Sequence, residues 1–169
     1  MKVFDTERLE LRHLCEDDAS FILGLVNDRD YVRYIGDRGV KSIDGARDYI
    51  VNGPMASYQE RGFGLYLVQL KSASTPIGTC GLLKREGLDD VDLGFAFMPQ
   101  YRVQGYAIEA AEATLNYAAE VLGLKRVVAI TAIDNARSIR LLKRLGFEFE
   151  RHTKLRHDAE KLNLFGVQL

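Results

Sequence analysis

The chain has 169 residues, 47% of them hydrophobic, with 23 basic and 24 acidic residues and a formal net charge of -1. That length and apolar content fit one compact domain spanning residues 1–169, and the near-neutral charge gives no global excess of positive charge to hold a polyanion through many phosphates, so nucleic acid is not indicated as the main partner. Every apolar stretch is broken by charge well short of the roughly 20 residues of a membrane-spanning helix, so no membrane partner is expected.

The only cysteines are Cys15 and Cys80, and the opening Met1-Lys2-Val3-Phe4-Asp5 lacks the apolar run of a secretion signal, which together predict a reduced, cytoplasmic setting. Residues 8–14 alternate Leu9, Leu11 and His13 against Glu10 and Arg12 and read as the first strand. A helix follows, with Asp17 or Asp18 as its cap and Phe21, Ile22, Leu25 and Val26 on one face. Over residues 30–61, Ser42 reads as an N-cap ahead of Ile43, Ala46, Tyr49 and Ile50, and Asn52-Gly53-Pro54 breaks the pattern. This predicts short helices with a mobile connection.

Three apolar runs, 64–70, 77–83 and 91–98, are separated by turn chemistry and read as adjacent antiparallel strands. After Pro99 the period changes: residues 107–122 form a long Ala- and Glu-rich helix ended by Gly123, followed by a buried strand over 126–131. A second helix from about Asn135 stops at Gly146, and strands near 147–151 and 162–167 close the chain. The three prolines, Pro54, Pro76 and Pro99, are each expected at an element boundary. The unit over 91–131 is a parallel crossover, so the sheet is mixed and its ligand is expected beyond the carboxyl ends of the parallel strands, near residues 97–107.

There Arg102-Val103-Gln104-Gly105-Tyr106-Ala107 joins a strand to the first turn of a helix. Main-chain N–H groups in that position lack helical partners, the helix dipole favours an anion, and Gly105 and Ala107 let a pyrophosphate approach closely. Arg102 is able to add a cation. On spacing alone an ordinary strand-to-helix turn with a solvated arginine explains the same residues.

The segment Pro99 to Ala110 resembles the acetyl-CoA signature of the GNAT N-acetyltransferase superfamily, Arg/Gln-x-x-Gly-x-Gly/Ala. Asp134-Asn135-Ala136-Arg137-Ser138, continuing to Lys143-Arg144-Leu145-Gly146-Phe147, resembles its next motif, and Thr6-Glu7-Arg8-Leu9-Glu10-Leu11-Arg12 resembles the branch of the ribosomal-protein N-terminal acetyltransferases. The resemblance implies a mixed α/β sheet of six to seven mostly antiparallel strands, helices on both faces and a V-shaped parting of the central parallel strands. It implies acetyl-CoA as cosubstrate, with no metal. Amides of Val103, Gln104, Gly105, Tyr106 and Ala107 would hold the diphosphate, with Arg102 beside them. Pantetheine would run beside Phe97 and Met98, a bulge in that strand would aim an amide near Phe97 at the thioester carbonyl, and Asn135 would bond the pantetheine arm.

In this resemblance Ser138 lies near the sulfur as proton donor, and Asp92 is the best-placed carboxylate to receive a proton from the attacking amine, ahead of Glu86, Asp89 and Asp90. Asn135 as a plain helix cap, Ser138 as a solvent-facing serine and the acidic turn as a solvated one are the bland readings. His157 is a lesser candidate for substrate contact, and Cys80 reads as core. Two departures stand out: Val103 occupies a position often held by glycine, and Leu142 one often held by a tyrosine acid. The implied partner is an amine acceptor, a protein N-terminus or a small molecule, and the oligomeric state is left open, a homodimer included. The rival is a degenerate domain that binds acetyl-CoA without turnover.

Overall fold

The computed structural model describes residues 1–169. Eight strands form one sheet: Lys2–Asp5 (β1), Leu9–His13 (β2), Leu65–Leu70 (β3), Thr75–Leu83 (β4), Asp92–Phe97 (β5), Arg126–Ala132 (β6), Glu148–Thr153 (β7) and Leu162–Gln168 (β8), in the spatial order β1-β2-β3-β4-β5-β6-β8-β7. The helices are Ala19–Val26 (α1), Arg29–Tyr34 (α2), Ile43–Ile50 (α3), Ala56–Arg61 (α4), Tyr106–Glu120 (α5) and Ala136–Arg144 (α6). Residues 2–5 add an eighth strand to the expected six to seven, because four residues are too few to display a period. What holds β1 is tertiary: it pairs with β2, and Phe4 stacks on Tyr117 of α5 at 5.0 Å.

Alternation along β3 sorts side chains between two layers. Tyr66 and Val68 enter the main core with Ala110, Ala111, Leu115 and Ala118 of α5, whereas Leu67 packs with Ile22, Leu25, Ala46 and Ile50 of α1 and α3. Helices therefore cover both faces. Cys80 is fully buried in the main core, and its thiol is pushed up to about 12 by that burial.

Three local expectations are corrected. Asn52-Gly53-Pro54 does not break the helix: α3 runs through a π-helical turn, Val51–Met55, directly into α4. The wider turn leaves room for the Pro54 ring against the preceding carbonyls. Pro76 lies inside β4, at the register shift against β3, so Pro99 alone keeps its boundary position. Asp18 makes no side-chain cap on α1; it accepts from Arg12 Nη2 at 2.8 Å and from the Cys15 amide at 2.9 Å.

All strand pairs are antiparallel except β5 with β6, whose only registered pair is Asp92 with Val128. Beyond it, β6 pairs along its whole length with β8 and leaves β5 alone. The two strands part like a V, as expected. The expected bulge is absent: β5 pairs with β4 without a register shift from Asp92 to Phe97.

Candidate active site

An 890 Å³ cavity fills the parting. Phe97, Arg102, Val103, Gly105, Ala107, Asn135, Ser138 and Asp92 line it. Met98, Gln104 and Tyr106 do not: Met98 packs against the α1–α3 cluster, the Gln104 side chain donates to the Gln100 carbonyl at 2.7 Å, and Tyr106 packs against the main core. Register decides which amides of β5 face the gap. Met98 N–H donates to Ile77 C=O at 2.9 Å, so alternation turns the amides of Phe95 and Phe97 away from β4 and toward the missing β6 neighbour.

At the open end of the V, the N–H groups of residues 103–108 have no hydrogen-bond partner within the protein, and the first return bond is from Glu109 N–H to Gly105 C=O at 3.1 Å. The chain turns by two positive φ angles, +60° at Val103 and +83° at Gly105. Such turns gather successive amides into an anion-binding concavity. A β-branched residue at positive φ is strained, and Val103, 95% exposed, has no packing to offset that.

Arg8, quoted above only for its place in the opening motif, holds this loop from below. Its Nε donates to Glu109 Oε2 at 2.7 Å, its Nη1 donates to Gln104 C=O at 3.1 Å, and its guanidinium lies 4.4 Å over the Tyr106 ring. Glu109 also accepts from Thr6 Oγ1 and from the Arg8 amide at 2.9 Å. Sequence reading missed Arg8 because its partners lie about 100 residues away.

Arg102 faces the other way. Its Nε donates to Phe97 C=O at 3.0 Å, and its two Nη groups meet Asp28, the N-cap of α2, and Asp30 in the first turn of that helix. Asp30 also accepts from Arg137 of α6 at 3.4 Å. Its charge is thus engaged by carboxylates at the wall rather than directed at the amide concavity.

Asn135 is the N-cap of α6, its Oδ1 accepting from Ser138 N–H at 3.3 Å. Both also line the cavity, so capping and ligand contact are compatible roles. Below them Arg137, Arg140 and Arg144 recur at helical spacing on the cavity side, a basic row for which that spacing was the available signal. Leu142 is buried in the core and offers no proton.

Asp92 begins β5 at the closed end of the V, 1% exposed, with both oxygens on Arg85 Nε at 3.1 and 3.0 Å. Burial raises its pKa above the usual carboxylate range, and Arg85 opposes the rise. The other acidic candidates lie outside the cavity wall: Asp90 pairs with Arg126 at 3.1 Å, and Glu86 and Asp89 are exposed. His157 is exposed and also outside the wall.

Residues 8–148 match the family described as "Acetyltransferase (GNAT) domain". The chain is 29% identical over 149 residues to the uncharacterized N-acetyltransferase YoaA of Bacillus subtilis, covering 88% of this chain and 84% of that protein. Its fold is similar to that of the ribosomal-protein-S5-alanine acetyltransferase of Vibrio fischeri, with a TM-score of 0.79 at 17% identity over 99% of this chain and 96% of that one. It is also similar to that of the spermidine N-acetyltransferase of Vibrio cholerae solved with CoA and spermine, with a TM-score of 0.77 at 19% identity over 96% of each chain. At those identities the likeness concerns the fold. With a family match over most of its length, a parted central sheet and a crossover loop of unpaired amides, the chain belongs to the GNAT acetyltransferase family.

Proposed function

We propose that the protein transfers an acetyl group from acetyl-CoA to a primary amine by direct attack in a ternary complex. The observation that carries this reading is the run of unpartnered amides over residues 103–108 at the open end of the parted strands. A diphosphate fits there: amides of a helix start bind anions without a side-chain cation, and the Arg137, Arg140 and Arg144 row supplies positive charge across the cavity. A CoA complex of a similar fold supports the same use of the cleft.

Acetyl-CoA supplies an activated acyl thioester. The residues of this chain position it and manage charge. Phe95 or Phe97 N–H, facing the gap, donates to the acyl oxygen as negative charge develops there, a role worth about 3 kcal/mol when a donor is already in place. Asn135 orients the arm through its side-chain amide, and Ser138 Oγ delivers a proton toward the departing sulfur. Asp92, directly or through water, accepts the proton of the attacking amine; its raised pKa makes it a stronger base than a solvated carboxylate. An α-amine, with a pKa of about 8, is more readily deprotonated than a lysine near about 10.4. A protein N-terminus is therefore the first acceptor to test.

Calorimetry with acetyl-CoA and measurement of thiol release against peptides, polyamines and aminoglycosides test the reading together. Tight binding with thiol release on at least one amine is the expected result. Binding without release on any amine would instead establish a module that senses acetyl-CoA, a role favoured by the Arg85 grip on Asp92 and by Leu142.

A further inference from the structure

The similar folds named above act on opposite acceptors by their names, a ribosomal-protein alanine and a polyamine. The cavity wall distinguishes between such classes by charge. Its only carboxylates are Asp30 and Asp92, and each is already bound to arginine: Asp30 to Arg102 and Arg137, Asp92 to Arg85. No carboxylate is free to receive a polycation.

Positive charge, in contrast, is in excess along the cavity wall, and two of its arginines, Arg85 and Arg38, are not fully paired. Arg85 binds Asp92 through Nε alone, and neither Nη has a hydrogen bond to the protein. A guanidinium fixed by one edge with its amino groups free presents donors suited to a carboxylate. Arg38, on the loop after α2, makes no ion pair; its Nε meets only the Tyr31 hydroxyl, at 3.4 Å. Tyr31, Arg38, Tyr49 and Arg85 all line the cavity.

We infer that the acceptor is an amine carrying a carboxylate within a few bonds of its nitrogen, gripped by the free Nη groups of Arg85 and by Arg38, and that polyamines are disfavoured. This rests on the acetyltransferase reading and names its substrate class. A free amino acid and the acidic N-terminus of a peptide share that chemistry. In either case the amine nitrogen bonds to the acetyl carbon, the carbon–sulfur bond breaks, the amine proton leaves through Asp92 or water, and the thiol departs protonated.

The test measures kcat/KM on matched acceptors with acetyl-CoA fixed: glutamate against glutamine amide, peptides opening with Asp against the same peptides opening with Asn, and spermidine. A preference for carboxylate over carboxamide of at least about 10-fold is expected, the scale of one charge-assisted contact. Whether the amino acid or the peptide pair shows it identifies the source. In Arg38→Gln the preference falls to within about 3-fold. Arg85→Lys, which keeps the charge beside Asp92 but loses the fork, reduces it less. Spermidine as the best acceptor, or a preference unmoved in both variants, overturns the inference. Calorimetry of glutamate and spermidine on the CoA complex separates the two ideas: with no turnover on any amine the transfer reading fails, while selective, Arg38-dependent glutamate binding still upholds the pocket's choice and spermidine binding refutes it.

Discussion

Arg102 Nη2 lies 2.5 Å from Asp28 Oδ2, so the arginine that opens the acetyl-CoA signature holds α2 against the end of β5. Both side chains are mostly buried, 17% and 10% exposed, and Asp28 also caps α2 by accepting from Tyr31 N–H. Losing either partner leaves the other charge without its strongest contact. Arg102→Ala and Asp28→Ala are each expected to lower stability by about 2 kcal/mol. The double variant should lose less than the sum by about 1 kcal/mol or more. Urea denaturation of the four proteins checks this.

Gly105→Glu should abolish acetyl-CoA binding, with Kd rising at least about 100-fold, a cost of about 2.7 kcal/mol. A carboxylate beside the amide concavity repels the diphosphate, φ of +83° strains any side chain, and a Cβ would stand 3.2 Å from Arg8 Nη2. Calorimetry measures this directly. Unchanged affinity would displace the diphosphate from this loop.

Ser138→Ala should lower kcat by about 100-fold with little change in the KM for acetyl-CoA, because proton delivery to sulfur matters only as the bond breaks. The cap on α6 survives, since Asn135 Oδ1 accepts from the Ser138 amide. Steady-state kinetics separates the two parameters.

For Asp92, burial raises the pKa and Arg85 restrains it. If Asp92 is the base, kcat/KM should rise with pH through a limb lying above the ordinary carboxylate range, since only the ionised form accepts a proton. Asp92→Asn should remove that limb and lower kcat by about 100-fold. A limb retained in the variant would assign it to another group.

Burial works against ionised Asp18, but Arg12 and the Cys15 amide outweigh it, and its pKa falls below the usual carboxylate value. A depressed folded pKa contributes stability that is complete above the unfolded value of about 3.9 and is lost as pH falls through the folded one. The melting temperature should therefore fall on acidification below about pH 4, and Asp18→Asn, less stable at neutral pH, should show a shallower fall. Calorimetric scans from pH 6 to about pH 2 resolve the difference.

Much of the fold and part of the candidate site are legible in the residues themselves, because they rest on local rules. Alternation over residues 8–14 and apolar runs elsewhere mark seven strands, the change of period after Pro99 marks α5, and Gly105 at a helix start marks a loop of unpartnered amides. The cap at Asn135 and the buried Cys80 follow from neighbours a few positions away. Other features depend on partners distant in sequence. Lys2–Asp5 becomes a strand only against β2 and Tyr117, and Pro54 stays helical only because a π turn absorbs it.

The same division governs chemistry. The sequence by itself determined that a glycine-containing loop with amides lacking helical partners follows a strand and that a capped helix follows the next, since hydrogen-bonding need and backbone freedom are properties of adjacent residues. Only the tertiary structure decided that Arg102 turns to Asp28, that Arg8 supports the loop, and that Arg85 leaves a free fork above Asp92. A charged side chain reaches whichever partner the packed elements bring within a few ångströms, and that choice is made by the sheet's strand order rather than by spacing along the chain.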